Sequence, residues 1–336
     1  MKKKVIVIAE VGVNHNGDLN LTKKLINVAK KSGADFVKFQ SFKTENLIRK
    51  NTKAAQYQNK NMKKKINQFD LLKKLELTEK DHRIIIKYCN KKKISFLSSP
   101  FDLDSLNLLF KLKIFNIKIA SGEINNYFFL KKVAQKAKKI FISSGMSTLN
   151  EVSEAIKILL LNGAKIKNII SLHCNSDYPT QLNEVNLLAM KTMQKKFKTE
   201  VGYSDHTIGH ETAIAAVALG ARVIEKHITL NKNMEGPDHK ASMEPKDFYN
   251  YVKSIKNTSI LLGDYLKKPS RSELKNKKLV RKSIVAKKNI KKGDIFSEYN
   301  VICKRPEGGI SPILWSKVVG KKSKRYFKID DFISLK

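Results

Sequence analysis

The stretch 140–163, IFISSGMSTLNEVSEAIKILLLNG, holds one complete strand-to-helix unit. It begins with a β-branched and aromatic run, and then the apolar period changes from two to 3.6. Val152, Ala155, Ile156, Leu159 and Leu160 fall on one helical face. Thr148 and Glu151 stand at capping-box spacing ahead of that face, and Gly163 follows it as a stop. The same unit recurs along the chain. Strand-like runs lie at 5–12, 36–40, 94–100, 114–121, 140–146, 169–175, 199–205 and 223–229. Each is nearly continuously apolar, as expected of parallel strands buried on both faces. Between them, Thr78 is placed to cap a helix with Ile84, Ile85 and Ile86 inside, and Pro245 to start a last one at 245–262. Eight such units over about 260 residues predict an α/β fold, a (β/α)8 barrel. A doubly wound open sheet is the competing architecture, but no G-x-G-x-x-G follows the first strand.

The spacing breaks only at 41–77, a Lys-, Asn- and Gln-rich insertion between the second and third strands. Such a loop either covers the mouth of a barrel or is simply solvated. The helical pattern stops at Gly263. Residues 264–280 read as a polar linker, and 281–336 as a small domain of short strands and turns, including Lys291–Lys292–Gly293–Asp294. The 336 residues thus divide into a barrel at 1–263 and a small all-β domain.

Lys and Arg number 67 against 30 Asp and Glu, a formal charge of +37. Only seven of the positives are Arg, the residue that bidentate base and phosphate reading favours. Aromatics are not interleaved along a basic strand either, so the charge is read as solvated Lys and no nucleic-acid partner is expected. Cys89, Cys174 and Cys303 are far apart and odd in number, which argues against a disulfide framework or a thiolate metal site. No apolar run approaches the roughly 18 residues of a membrane span. A cytoplasmic protein with no membrane partner is the expectation.

Barrels carry their chemistry at the C-terminal ends of strands. Those ends hold Glu10, Lys38 and Gln40, Ser98–Ser99, Lys118 with Ser121 and Glu123, and Ser143–Ser144–Gly145. The last three strands add His173–Cys174–Asn175 with Ser176 and Tyr178, Ser204–Asp205–His206, and Glu225–Lys226–His227 with Asp238 beyond. Polar groups inside apolar strands are costly unless paired or used. Lys38 and Lys118, with Ser99, Ser121, Ser144 and Ser204, suit a compact anion such as phosphate or carboxylate. His206 and His227 end neighbouring strands and suit one shared cation with oxygen ligands. Glu10, Glu123 and Glu225 supply acid, base or hydroxyl-clamping groups. A lysine Schiff base at Lys38, Lys118 or Lys226 is the rival chemistry.

Ten ordered blocks carry a resemblance: AEVGVNHNG, GADFVKFQ, FLSSPFD, KIASGEINN, SSGMSTLNE, LHCNSDYPT, VGYSDHTIGH, VIEKHITL, GPDHKASMEP and KRPEGGIS. The chain resembles the sialic acid synthases and the closely similar legionaminic acid synthases, and its end resembles their SAF (antifreeze-like, β-clip) domain. The resemblance implies condensation of phosphoenolpyruvate with an N-acetylmannosamine-type sugar, or with a 2,4-diacetamido-6-deoxy sugar, to a nine-carbon 2-keto acid. It implies a divalent cation, Mn²⁺ foremost with Mg²⁺ or Co²⁺ as alternatives, on His206 and His227. It gives Lys38, Ser99, Lys118, Ser121, Ser144 and Ser204 to phosphoenolpyruvate. Glu10, Gln40, Glu123 and Tyr178 go to the reacting carbons and sugar, Asp238 to sugar hydroxyls, and Glu225 to the metal's side. It also implies a homodimer, in which the small domain covers the partner's barrel and Arg305 reaches the partner's sugar. Two positions depart from the family. Glu307–Gly308–Gly309 stands where Gly-Asn-Gly is usual, and Ser176, also assigned to substrate, stands where many members have Asn or Thr.

Overall fold

The computed structural model describes residues 4–50 and 67–336. It divides into two compact units, 1–263 and 264–336.

The larger unit is a closed barrel of eight parallel strands. They are β1 (Ile6–Gly12), β2 (Phe36–Ser41), β3 (Ser95–Pro100), β4 (Asn116–Ile119), β5 (Lys139–Ser143), β6 (Ile169–Cys174), β7 (Glu200–Asp205) and β8 (Val223–His227). β1 closes the ring on β8, with Glu10 opposite His227. All eight expected strands form. The fourth is shorter than its apolar run, because Ser121–Glu123 turns into a single 3-10 turn. The fifth stops at Ser143 rather than Met146, whose φ of 61° leaves the extended region.

Side chains alternate across each strand, which yields two separate cores. Ile8, Leu97, Phe141, Ile170, Leu172 and Val223 fill the inside of the barrel. The odd–even partners Val7, Ala9, Val37, Phe96, Ile117, Ile119, Ile140 and Ile142 pack outward against the helices. Gly202 marks how tightly the inside is filled. A Cβ there would stand 2.5 Å from the Val223 carbonyl oxygen and 2.6 Å from Leu172 Cδ2.

The helix Leu149–Leu161 has the Thr148–Glu151 capping box that its sequence predicts. The helix Glu79–Lys92 has a box from Thr78 and Asp81. All three isoleucines expected inside this helix fall within it. Three consecutive residues point about 100° apart, and only Ile85 is buried, with His82 and Cys89 on the same face.

Within the 41–77 insertion, residues 51–66 lie outside the described residues. The rest forms short helices at Thr44–Leu47 and Gln68–Leu75. Leu71 and Leu75 pack on Val13 and Phe42 beside the strand ends. Glu76 ties this segment together. It accepts from Lys43 Nζ at 2.7 Å, and from Thr44 N, Thr44 Oγ1 and Lys73 Nζ, each at 3.2 Å. Burial opposes its charge, yet Lys43, the Thr44 N–H and Lys73 hold its carboxyl down at about 2. A lowered folded value contributes stability above the ordinary carboxylate range, and that contribution disappears as pH falls from about 4.5 toward 2. Glu76→Gln is therefore expected to cost roughly 1.5–3 kcal/mol at pH 7 and to flatten the pH dependence of stability in that window. Thermal melts of both proteins at pH 7 and pH 3 measure this.

The smaller unit pairs β9 (Ser283–Ala286) antiparallel with β10 (Val301–Lys304). Ile284, Ala286, Ile290, Phe296, Val301, Val318, Phe327 and Ile333 form its core. The expected turn is present, with Gly293 at φ 96° and Asp294 N donating to Lys291 O. The stretch read as linker contains a helix, Arg271–Val280. A Ser270–Glu273 capping box starts it, and none of its residues is buried. A polar helix with no apolar stripe leaves little periodic signal. Among the described residues, no helix is long and apolar enough to cross a membrane.

Candidate active site

The inward parity that buries Ile8, Phe141 and Leu172 continues upward into polar residues. Two positions on from the apolar layer come Glu10, Ser99, Ser143, Cys174, Ser204 and Glu225. With Lys38, Gln40, Lys118 and His227 they line one cavity of about 340 Å3 at the C-terminal end of the barrel. Ser121, Ser176, Tyr178, His206 and Asp238 complete its polar lining from the loops. Leu72 of the insertion, Phe101 and Val13 supply apolar wall. Thirteen of the sixteen residues singled out from the sequence line this one space.

Its centre is a buried charge cluster. Lys38 Nζ lies 3.0 Å from Glu10 Oε2 and 3.4 Å from Glu225 Oε1. Lys118 Nζ lies 3.3 Å from the same Glu225 oxygen, and Ser204 Oγ donates to it at 3.2 Å. Lys38 also donates to Ser99 Oγ at 3.1 Å. None of these four charged residues is more than 4% exposed. Burial raises Glu10 to about 7 against the pull of Lys38. Burial opposes ionisation of Glu225 too, but Lys118 and Lys38 together hold it down at about 2. Burial pushes Lys118 below its ordinary value, whereas Glu10 and Glu225 outweigh burial at Lys38 and raise it. Two carboxylates are thereby driven apart, one permanently charged and one near neutrality, the arrangement that acid–base chemistry at neutral pH requires.

A hydroxyl cradle adjoins the lysines. Ser121 Oγ accepts from Gly145 N at 2.9 Å and lies 3.4 Å from Cys174 Sγ. A Cβ on Gly145 would fall 2.5 Å from Ser176 Oγ and 2.8 Å from Ser121 Oγ. The missing side chain is what lets these groups converge.

His206 and His227 stand with ring centroids 5.6 Å apart, and Tyr178 lies 4.1 Å from the first and 5.6 Å from the second. His206 Nδ1 donates to the Asn175 carbonyl at 2.5 Å, since a carbonyl only accepts. Nε2 therefore keeps its lone pair, a tautomer fixed from behind as in metal sites. His227 Nδ1 is buried with no hydrogen-bond partner, as is Glu225 Oε2. Burial pulls His206 down to about 4 and His227 well below 6.5, so both rings are neutral at pH 7. Neutral imidazoles with an unused buried nitrogen fit a divalent cation. Among the described residues no three His, Cys, Asp or Glu side chains are placed to hold a metal ion together, so water and substrate are left to complete such an ion's shell.

Three predicted residues lie elsewhere. Ser144 is one position out of parity. Its Oγ donates outward to Leu172 O at 3.1 Å and faces a neighbouring cavity of about 900 Å3 that shares Met146, Cys174 and Ser176 with the first. Ser143, whose Oγ is buried without a partner, takes its place. Counting by twos from Phe141 finds it. Glu123 sits in the 3-10 turn after β4, accepts from Asn126 Nδ2 at 2.8 Å, and is raised by burial, but it does not line the cavity. Arg305 is on the smaller unit, exposed, before a cis Pro306. Lys226 faces outward. It pairs with Asp205 Oδ2 at 3.1 Å and donates to Thr207 O. Leu72 reaches the site from the 41–77 insertion, which agrees with the first of that loop's two readings, although no pattern singled out Leu72 itself.

Comparison with known proteins identifies the family of each part of the chain. Residues 25–267 match the NeuB family and residues 281–336 the SAF domain. An N,N'-diacetyllegionaminic acid synthase of Campylobacter jejuni is 53% identical over 98% of this chain and 99% of its own length. One of Legionella pneumophila is 43% identical, covering 94% of this chain and 89% of the relative. Among solved structures, the N-acetylneuraminic acid synthetase of Leptospira borgpetersenii, in complex with citrate, superposes with a TM-score of 0.71 at 31% identity. That match covers 82% of this chain and 90% of the other.

Proposed function

The chain belongs to the NeuB family, and from that premise we propose that it condenses phosphoenolpyruvate with a 2,4-diacetamido-2,4,6-trideoxymannose to N,N'-diacetyllegionaminate and phosphate. It is an enzyme of nonulosonic acid synthesis. The buried pair Lys38 and Lys118, held over Glu225 inside the barrel mouth, is the observation that supports anion chemistry here. The acceptor follows the two relatives above, both named for legionaminic rather than neuraminic acid. N-acetylmannosamine, the acceptor of an N-acetylneuraminate synthase, is the alternative.

C3 of the enol attacks the open-chain aldehyde of the sugar, and a C–C bond forms. The aldehyde oxygen takes up a proton, and water adds to C2 while losing one. Cleavage of the bond between C2 and the phosphate oxygen then releases phosphate, which carries off the proton of the new C2 hydroxyl and leaves the 2-keto acid. Lys38 and Lys118 meet the charge of the carboxylate and the departing phosphate in a water-poor site, where fixed charges act most strongly. Glu225 Oε1 is committed to both lysines and Ser204. Glu10 has one lysine partner and a value near 7, so it is assigned the proton transfer from water. Ser99, Ser121, Ser176 and Ser204 orient the phosphoenolpyruvate, and Gln40, Tyr178 and Asp238 the sugar. His206 and His227 hold a divalent cation, Mn²⁺ foremost, that supplies Lewis acidity to the aldehyde.

Exhaustive dialysis against EDTA should abolish phosphate release, and Mn²⁺ should restore it. His206→Ala should abolish turnover together with the binding of Mn²⁺. Activity that persists in EDTA, with a pyruvate adduct trapped by borohydride, would replace this reading with a lysine aldolase.

We also place the enzyme in the cytoplasm, as a homodimer whose Arg305 serves the partner's sugar site. Its exposure on the smaller unit supports that role. Mixing and re-pairing inactive Arg305→Ala and His206→Ala subunits should then restore up to about a quarter of wild-type turnover. No recovery on mixing would assign Arg305 to its own chain or to no site.

A further inference from the structure

The loop after β8 carries Asp238, and the loop after β1 holds it through four hydrogen bonds. Asn14 is fully buried, and its Nδ2 donates to Ile228 O at 2.9 Å and to Ser242 Oγ at 2.8 Å. Ser242 Oγ in turn donates to the carbonyl of Asp238 at 2.7 Å. Asn16 Nδ2 donates to Glu235 O at 2.9 Å, which turns its Oδ1 toward His239 Nε2 at 3.1 Å. An amide oxygen only accepts, so His239 Nε2 carries the proton. Burial holds His239 at about 4, so the ring is neutral and its Nδ1 accepts from the Thr229 hydroxyl at 2.7 Å. Gly236 leaves room for this contact. A Cβ there would stand 2.5 Å from His239 Cδ2 and 3.1 Å from Asn16 Oδ1.

Asn14, Asn16, Ser242 and His239 do not line the cavity, whereas Asp238 does. Their hydrogen bonds reach the backbone at Ile228, Glu235 and Asp238 itself, and hold the side chain of His239, the residue that follows. β1 and β8 are the strands that close the barrel, so the clamp spans the closure itself. We propose that Asn14, Asn16 and His239 are positioning residues that set Asp238 for the acceptor sugar, giving the β1 loop control of acceptor affinity without contact with either substrate. This rests on the reading of Asp238 as an acceptor contact.

Steady-state phosphate release separates this from a purely structural clamp. Wild type, Asn16→Ala, Asp238→Ala and the double variant are each measured with the sugar varied at saturating phosphoenolpyruvate, and the reverse. Asn16→Ala should raise the acceptor KM about tenfold and leave the phosphoenolpyruvate KM within about twofold. In the Asp238→Ala background it should add nothing further. His239→Ala should behave like Asn16→Ala, whereas His239→Gln, which keeps a donor near Nε2, should recover most of the affinity. Equal rises in both KM values, or full additivity with Asp238→Ala, would overturn the proposal while wild-type turnover leaves the function standing. An inactive wild type would instead overturn the function, and this proposal with it.

Discussion

Lys38→Ala is expected to lower kcat/KM by about 1000-fold or more. Lys38 contacts Glu10, Glu225 and Ser99 within 3.4 Å, all out of water. Removing it leaves two carboxylates facing one another with only Lys118 between them and neutrality. Removing one preorganised group that meets developing charge in a water-poor site costs about 10²–10³ in kcat, and the loss of the anion contact in binding adds to that in kcat/KM. Glu10 already stands near 7 with Lys38 in place, so losing that charge drives its carboxyl to the protonated form. Lys38→Arg should rescue poorly, because a planar fork does not replace a point charge serving three acceptors. Phosphate release with a parallel thermal melt reads both consequences. Turnover within about tenfold of wild type would remove Lys38 from the anion site.

Lys226→Met should have the largest effect on stability. The pair with Asp205 lies on the outward face of β7 and β8, each side chain no more than 1% exposed. Asp205 also accepts from Tyr251 OH at 2.6 Å and from Thr207 N and Oγ1. Loss of the ammonium leaves that carboxylate buried without a counter-charge, which costs roughly 3–5 kcal/mol. For a unit of this size the melting midpoint should fall by on the order of 10 °C. Residual folded enzyme should keep its response to Mn²⁺, because Lys226 is outside the cavity. A melt unchanged within about 2 °C would contradict this account of the outer face.

The barrel was legible because eight strands, each buried on both faces, leave eight apolar runs, and capping residues such as Thr148 and Thr78 punctuate the helices. The site was legible for a related reason. Charges inside such runs, at Lys38, Lys118 and Glu225, stand out against neighbours such as Val37, Ile117 and Ile224. What was misplaced fails on parity or distance. Ser144 and Ser143 are adjacent and chemically identical, and only the face of β5 separates them. Leu72 reaches the cavity across a long insertion, and the helix Arg271–Val280 buries nothing, so neither leaves a periodic trace. The clamp on Asp238 joins residues more than 200 positions apart, a distance no local pattern encodes. The charge of +37, the most conspicuous feature of the composition, tells little, because the buried cluster at the barrel mouth balances two lysines against two glutamates.

The most direct measurement is phosphate release from phosphoenolpyruvate by the Mn²⁺-loaded enzyme, with each sugar offered separately and the product weighed by mass spectrometry. One phosphate is expected per nine-carbon acid, with kcat/KM at least about tenfold higher for the 2,4-diacetamido sugar than for N-acetylmannosamine. Release without an acceptor, or no release with either sugar, would contradict the proposed reaction.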